Sequence, residues 1–257
     1  MKFMKKVNTF RQNFAEKVRH TVSPEDYTCL ICGIEIFGGR LCKDCSASVT
    51  FNDGAACPVC GRRTPRTEVC LECKYRRPDY ARAVSCFVYR GGGVVLVSLL
   101  KHGKAFVSDW LAEMMCEKIA LLPRADAIVA VPMTRKEVKR RGYNQSALLA
   151  SKISRLTDIP FLPDAVRKES DTPEQKGLSR TDREANLKKC FKAQKSAVRG
   201  KAILIVDDVM TTGATLNSLA ACIKRSGARE VYAVTAASVE LTKSREPRGY
   251  KRLLTLI

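Results

Sequence analysis

Apolar and polar residues follow two different patterns along the chain. From Val84 onward, short apolar runs bounded by turn residues alternate with longer stretches whose apolar positions recur at helical spacing. Residues 84–89 read as a strand, which Gly91, Gly92 and Gly93 break. Residues 94–101 and 106–122 read as helix, hinged at Gly103. Residues 127–131 form a short buried strand ending at Pro132. Residues 144–156 are helical, with Leu148, Leu149, Ile153 and Leu156 on or near one face. Residues 202–206 are another buried strand, 214–226 a helix closed by Gly227, and 231–238 a final strand. Strands alternating with helices predict an α/β fold: a parallel sheet flanked by helices. In such sheets ligands bind beyond the carboxyl ends of the strands. That places the loops 207–215 and 132–144 at a site.

Ahead of this pattern, residues 29–73 carry few apolar side chains and many cysteines. Of twelve cysteines, eight form Cys-x-x-Cys pairs: Cys29/Cys32, Cys42/Cys45, Cys57/Cys60 and Cys70/Cys73. The unit Cys-x2-Cys-x9-Cys-x2-Cys occurs twice, offset by 28 residues, and Gly33 and Gly61 follow the leading pair of each copy. A glycine there suits a tight knuckle whose N–H groups face sulfur. Two such turns complete a tetrahedral Zn²⁺ site with no open position, which is structural rather than catalytic. Two structural zinc sites are therefore expected, supplying much of the module's stability. Disulfides would need an oxidising compartment, and four redox pairs in series would be unusual. Which pairs share a metal stays open, a crossed arrangement included. Cys86, Cys116, Cys190 and Cys222 sit in apolar contexts and read as core. Residues 75–81, with Pro78, read as a linker. The expected organisation is a basic extension (1–28), a double zinc ribbon (29–75), an α/β domain (82–240) and a basic tail (241–257).

Charge narrows the partners. The formal net charge is +20, and two thiolate-bound zinc ions would leave it at about +16. A surplus of that size favours phosphates, nucleic acid or an anionic membrane surface, although a basic solvated face without a specific partner gives the same count. No apolar run approaches the ~18–20 residues of a membrane span, so a soluble, cytoplasmic protein is expected, with peripheral membrane contact as an extension of that reading. The start of the chain lacks the apolar core and cleavage site of a secretory signal. Phe3, Val7, Phe10, Phe14 and Val18 recur at helical spacing, with Lys and Arg elsewhere. That pattern fits a helix packed on the protein's own body, a basic helix lying on membrane or DNA, and an organellar transit peptide.

The chemistry concentrates in 203–216, ILIVDDVMTTGATL. Asp207 and Asp208 stand where a buried strand is expected to end. Thr211, Thr212, Gly213 and Thr215 follow as a helix begins. A helix N-terminus offers unpaired N–H groups and a positive dipole end to a phosphate. Threonine hydroxyls add donors, and Gly213 allows close backbone approach. Adjacent carboxylates accept hydrogen bonds from sugar hydroxyls and attract Mg²⁺.

This run resembles the signature of type I phosphoribosyltransferases. The resemblance implies that Asp207 and Asp208 hold the ribose hydroxyls of phosphoribosyl pyrophosphate, and that the Thr/Gly loop holds its 5-phosphate. More of the chain is similar to the ComF family of competence-associated proteins. The shared features are the paired ribbon cysteines, Leu100-Lys101-His102-Gly103, Val131-Pro132 and Arg140-Arg141-Gly142-Tyr143-Asn144-Gln145. They continue with Gln175, Gly177-Leu178-Ser179, Arg183, Asn186 and Phe191, so that the match spans about residues 29–238. It implies a type I phosphoribosyltransferase fold behind a double zinc ribbon. It also implies a role in natural competence, handling incoming single-stranded DNA beside competence-machinery proteins at the inner face of the membrane. Phosphoribosyl transfer needs Mg²⁺ and cations around departing pyrophosphate. Thr134, Arg135, Arg140 and Arg141 are candidates for that contact, with Lys101 behind them. Residues 170–187 suit a mobile cover that brings Lys176, Arg180 and Arg183 over the site. Lys101, Arg135, Lys176 and Arg180 are the candidate catalytic cations. No segment reads as a nucleobase pocket. His102, the sole histidine of the α/β domain, reads as a helix-end residue rather than a base. For nucleic acid, Tyr75, Tyr80 and Tyr143 are candidate stacking aromatics, and 2–19, 135–141 and 243–252 are basic stretches. A phosphoribosyltransferase with another acceptor and a regulator that senses phosphoribosyl pyrophosphate are the competing functional readings.

Overall fold

The structure, a computed structural model, describes residues 27–104, 106–169 and 190–240. Its centre is a parallel sheet of β1 (Arg82–Val88), β2 (Ala127–Ala130), β5 (Ala202–Met210) and β6 (Glu230–Ser238), in the order β1-β6-β5-β2. The central strands are apolar on both sides because both sides are covered. Ala202, Leu204 and Val206 of β5 point into one core, and Ile203 and Ile205 into the other. The first core is closed by α3 (Gly92–Lys101), α4 (Val107–Ile119) and α6 (Gln145–Thr157). The second is closed by α7 (Lys195–Val198), by α8 (Ala214–Arg225) and by the small hairpin β3 (Val166–Lys168) and β4 (Phe191–Ala193). The chain after β2 therefore turns to one face and the chain after β5 to the other. In sheets of this kind a ligand site lies where the loops diverge, beyond the carboxyl ends of the strands.

The cysteines gather as two separate sets, Cys29/Cys32/Cys42/Cys45 and Cys57/Cys60/Cys70/Cys73, with all sulfurs of a set within 4.8 Å of one another. The two Cys-x-x-Cys pairs of each repeat thus share a site, and the crossed pairing does not occur. Four sulfurs about 2.3 Å from a central zinc would stand about 3.8 Å apart. The Cys32–Cys42 and Cys60–Cys70 Sγ separations are 3.9 and 3.8 Å. Gly33 and Gly61 adopt φ of 73° and 68° and donate their N–H to the carbonyls of Cys29 and Cys57 at 2.8 and 2.9 Å. The glycine knuckles expected from spacing are therefore present. Short helices α1 (Lys43–Ser48) and α2 (Leu71–Tyr75) carry the second pair of each set.

The two ribbons straddle the β1 edge of the sheet. Leu30 and Val49 of the first join one core, while the cysteines of the second join the other. Between them, Thr50–Asn52 runs antiparallel to β1: Val88 N–H reaches the Thr50 carbonyl and Asn52 N–H the Cys86 carbonyl, both at 2.8 Å. The segment read as a linker is docked as well. Tyr80 is buried, and Ala81 N–H bonds the Val231 carbonyl at 2.8 Å. Tyr80 therefore presents no face for stacking a base.

Three local expectations change. Gly92 and Gly93 lie inside α3 rather than breaking the chain before it. They serve close packing, since a methyl on Gly92 would sit 2.4 Å from Ser48 Oγ and one on Gly93 2.5 Å from the Val88 carbonyl. The loop 132–144 contains a helix, α5 (Arg135–Arg141), with no buried side chain. Strand β5 continues past Val206 to Met210, because the equally long β6 keeps pairing it, Asp207 opposite Thr235 and Met210 opposite Ser238.

Candidate ribose-phosphate site

Asp207 and Asp208 sit in the last paired stretch of β5, towards its carboxyl end. Asp207 is 8% exposed. Its Oδ1 accepts from Ser146 Oγ at 2.8 Å and from the Asp208 N–H at 2.9 Å. Burial, with the Asp208 charge beside it, pushes the Asp207 carboxyl up to about 8, against the opposing pull of those donors. Asp208 is less buried and keeps a cation: Lys101 Nζ lies 3.1 Å from its Oδ2, and Val209 N–H bonds its Oδ1 at 2.7 Å. One carboxyl is thus held neutral near pH 7 and its neighbour paired.

Each partner is delivered by a helix end. Lys101 is the last residue of α3, where His102 caps the helix with its ring Nδ1 2.8 Å from the Ser98 carbonyl. Tyr143 OH bonds the Leu100 carbonyl, tying the same helix end to the approach of α6. Asn144 caps α6, its Oδ1 accepting from Ser146 and Ala147 N–H at 2.9 and 3.2 Å. Its Nδ2 reaches back to the Val131 carbonyl at 3.0 Å. This pins the start of α6 to the end of β2 and presents Ser146 to Asp207. Gln145 beside it is 2% exposed, with a buried Nε2 that has no hydrogen-bond partner.

After Met210 the chain turns through exposed Thr211 and Thr212 to Gly213, the N-cap of α8, at φ 76°. Thr212 Oγ1 accepts from Ala214 N–H at 3.3 Å, and the Gly213 carbonyl from Asn217 N–H at 2.9 Å. The remaining N–H groups of this first turn have no acceptor within the helix, as at any helix start. Thr215 is exposed on the same turn. The loop thus offers hydroxyls and amides to an anion next to two carboxylates suited to a divalent cation. In this arrangement Mg²⁺ would sit at Asp207 and Asp208.

In the loop that follows β2, Thr134 caps α5 in a reciprocal box. Its hydroxyl accepts from Glu137 N–H at 3.2 Å, and its own N–H bonds Glu137 Oε2 at 2.7 Å. Burial disfavours the Glu137 charge, but the Thr134 N–H and Lys168, 3.0 Å away, outweigh it and hold the carboxyl below its ordinary range. Arg135, Arg140 and Arg141 are exposed, Arg141 Nη1 reaching Gln145 Oε1 at 3.4 Å. Among the described candidate cations, Lys101 alone is brought onto a carboxylate of the site. Lys176, Arg180 and Arg183 lie outside the described residues, as do the basic ends 1–26 and 241–257.

Sequence reading missed Ser146 and Arg62. A serine at the second position of a helix carries no mark of what it faces. The signal available was Asn144, a favoured cap that fixes where α6 starts and hence which residue follows.

Comparison with known proteins agrees with this build. Residues 138–257 match the phosphoribosyl transferase domain family, and residues 19–74 the double zinc ribbon domain family. Competence protein F of Haemophilus influenzae is 29% identical over 221 residues, covering 80% of this chain and 94% of the relative. The DNA utilization protein YhgH of Escherichia coli strain K12 is 30% identical over 213 residues, covering 79% and 93%. Competence protein ComFC of Bacillus subtilis is 25% identical over 211 residues, covering 73% and 79%. No helix among the described residues is long and apolar enough to cross a membrane. With two zinc-ribbon clusters clasping a sheet of the phosphoribosyltransferase kind, and with relatives matched over nearly their whole length, the chain belongs to the ComF family of competence protein F and YhgH.

Proposed function

We propose that the site at Asp207–Thr215 binds phosphoribosyl pyrophosphate with Mg²⁺, and that the protein acts in natural competence by handling single-stranded DNA. The observation that carries the ligand is the buried Asp207 beside Lys101-paired Asp208, set directly before a helix start with a left-handed glycine cap. Ribose hydroxyls donate to the two carboxylates. Thr211, Thr212, Thr215 and the first amides of α8 hold the 5-phosphate. Bound Mg²⁺ would neutralise the carboxylates and draw charge from the pyrophosphate. Lys101, Thr134 and the exposed α5 arginines would take the pyrophosphate. In a transfer reaction the C1–O bond to pyrophosphate breaks, a bond from C1 to the acceptor forms, and the acceptor's proton passes to solvent or to a basic group of the acceptor. His102 takes no part, being committed to the α3 cap.

The test is calorimetric titration of phosphoribosyl pyrophosphate with Mg²⁺ into wild type and Asp207→Ala/Asp208→Ala. Saturable binding by wild type, lost in the variant, is expected. A folded, zinc-loaded wild type that binds nothing would sink the reading. Pyrophosphate release that requires an added acceptor would establish a glycosyltransferase. Tight binding without release would favour a phosphoribosyl pyrophosphate sensor.

The nucleic-acid part has its own supporting observation. Helix α5, RKEVKRR, buries no side chain and carries five cations against one carboxylate that Lys168 already neutralises. Tyr75 stands exposed on the second ribbon as a stacking face. Oligonucleotide affinity should fall steeply with salt, since each phosphate contact releases counterions. Fluorescence anisotropy at low and high salt checks this, and a flat response rejects it.

A further inference from the structure

The second ribbon reaches the phosphate loop through one side chain. Arg62 follows Cys60 and Gly61 and is only 3% exposed. Its Nη2 donates to the Thr211 carbonyl at 2.7 Å, and its Nη1 donates to Glu72 Oε2. Its Nε is buried with no hydrogen-bond partner. Taking a guanidinium out of water is expensive unless its contacts are fixed in geometry, so this placement binds ribbon and loop into one unit.

Two bonds tie Arg62 to the second ribbon. Its own carbonyl accepts from Cys57 N–H at 2.9 Å. Glu72 lies in α2 between Cys70 and Cys73. Arg62 and Glu72 therefore meet because the four sulfurs converge. From that junction the guanidinium spans to the loop.

The bond to a carbonyl matters for an anion site. In a trans peptide the C=O and the following N–H point in opposite directions, and no cis peptide occurs among the described residues. Holding the Thr211 carbonyl toward the ribbon turns the Thr212 N–H away from it. Gly213 follows, and a methyl there would stand 3.4 Å from Arg62 Nη2, 3.6 Å from Met210 Sδ and 3.7 Å from Tyr80 OH. Arg62 of the ribbon, with Tyr80 and Met210, thus lines the back of the loop. The first ribbon instead packs on α3, through Ser48, Val49 and Ile31 against Gly92.

We propose that Arg62 is a positioning residue for the loop 211–213, through which the second zinc ribbon sets the shape of the phosphate site. The functional half of this inference rests on reading 207–215 as a ribose-phosphate site.

The experiment compares full-length, zinc-loaded wild type with Arg62→Met, Arg62→Lys and Glu72→Ala. Amide hydrogen exchange is read across 211–215, and ribose 5-phosphate with Mg²⁺ is titrated calorimetrically. In Arg62→Met the exchange should rise, and the affinity fall, each by about tenfold, as for loss of a charge-assisted hydrogen bond. Zinc should remain at one ion per cysteine set. Arg62→Lys should recover part of both, because an ammonium reaches one of the two acceptors. Unchanged exchange, or unchanged affinity, in a zinc-replete Arg62→Met overturns the proposal. Should that variant lose zinc, Glu72→Ala decides; its side chain is 43% exposed, so its loss is tolerable. Both readouts should move in the same direction by a smaller factor, and no movement overturns the proposal. A wild type that binds no ribose 5-phosphate, while exchange still rises in the variants, defeats the ribose-phosphate reading and leaves Arg62 as the loop's positioner.

Discussion

At the scale of single residues, Asp207 sets a conflict between folding and ligand binding. Its carboxyl is buried and pushed up to about 8, so at neutral pH the folded chain holds a proton that the unfolded chain has released. Between the ordinary carboxylate range near pH 4 and pH 8, the folded state binds more protons, and stability is lost as pH rises. Asp207→Asn mimics the neutral acid and still accepts from Ser146 Oγ and the Asp208 N–H. It should raise the melting temperature at pH 8 by about 3–6 °C, on the order of 1–2 kcal/mol. The gain should shrink as pH is lowered toward about 4. Thermal melts across pH check this, and a pH-independent difference would contradict it. The same variant should lose Mg²⁺-dependent ligand binding. In wild type the proton must leave when the cation and ribose arrive, so affinity should climb between about pH 6 and 8 and level off above. Gly213 is the other residue under constraint. At φ 76°, an alanine would be strained by about 1–2 kcal/mol, and Gly213→Ala should weaken ligand binding more than it lowers the melting temperature.

At the scale of elements, α5 depends on its cap. It buries no side chain, so packing holds it little, and the box between Thr134 and Glu137 supplies its start. Thr134→Ala should cost about 1 kcal/mol locally, raising amide exchange within α5 about fivefold, with the global melting temperature unmoved. A shift in melting without a change in exchange would mean that Thr134 acts elsewhere. The same element shows where sequence reading stops. The strands at 127, 202 and 231 and the helices at 144 and 214 were legible because burial on one or both faces writes itself as apolar period or run. The charged run RKEVKRR carries no such period, and its one local mark is a Thr-x-x-Glu spacing that the loop reading of 132–144 left unused. The hairpin β3–β4 is three residues on each side, too short to show alternation. Gly92 and Gly93 looked like breakers because glycine marks both turns and close contacts, and only the neighbour tells which. The aspartates and the Thr/Gly loop were legible as chemistry, whereas Ser146 and Arg62 act through tertiary proximity that no local pattern encodes.

At the scale of the molecule, the zinc ribbons are parts of the sheet's two cores rather than a head on a tether. The first supports α3, whose last residue Lys101 pairs with Asp208. The second contributes its own cysteines to the opposite core and touches the loop 211–213. Its Cys57 thiol is drawn down by the Cys60 side chain, while the Cys60 thiol is pushed up by that same bond and by burial. Such crowding of four sulfurs is relieved when a divalent cation takes them all as thiolates. Disrupting one set at a time should therefore have unequal consequences. Cys32→Ser and Cys60→Ser should each release one zinc, and each should lower stability. Ribose 5-phosphate affinity should fall by at least about tenfold in Cys60→Ser and by clearly less in Cys32→Ser. That variant leaves the Arg62 contact intact and acts on the site only through α3. Zinc content by metal analysis and affinity by calorimetry, measured well below each variant's melting temperature, separate the two effects. Equal losses would mean that the ribbons stabilise the sheet generally. A larger loss in Cys32→Ser would move the weight to Lys101 and the α3 end.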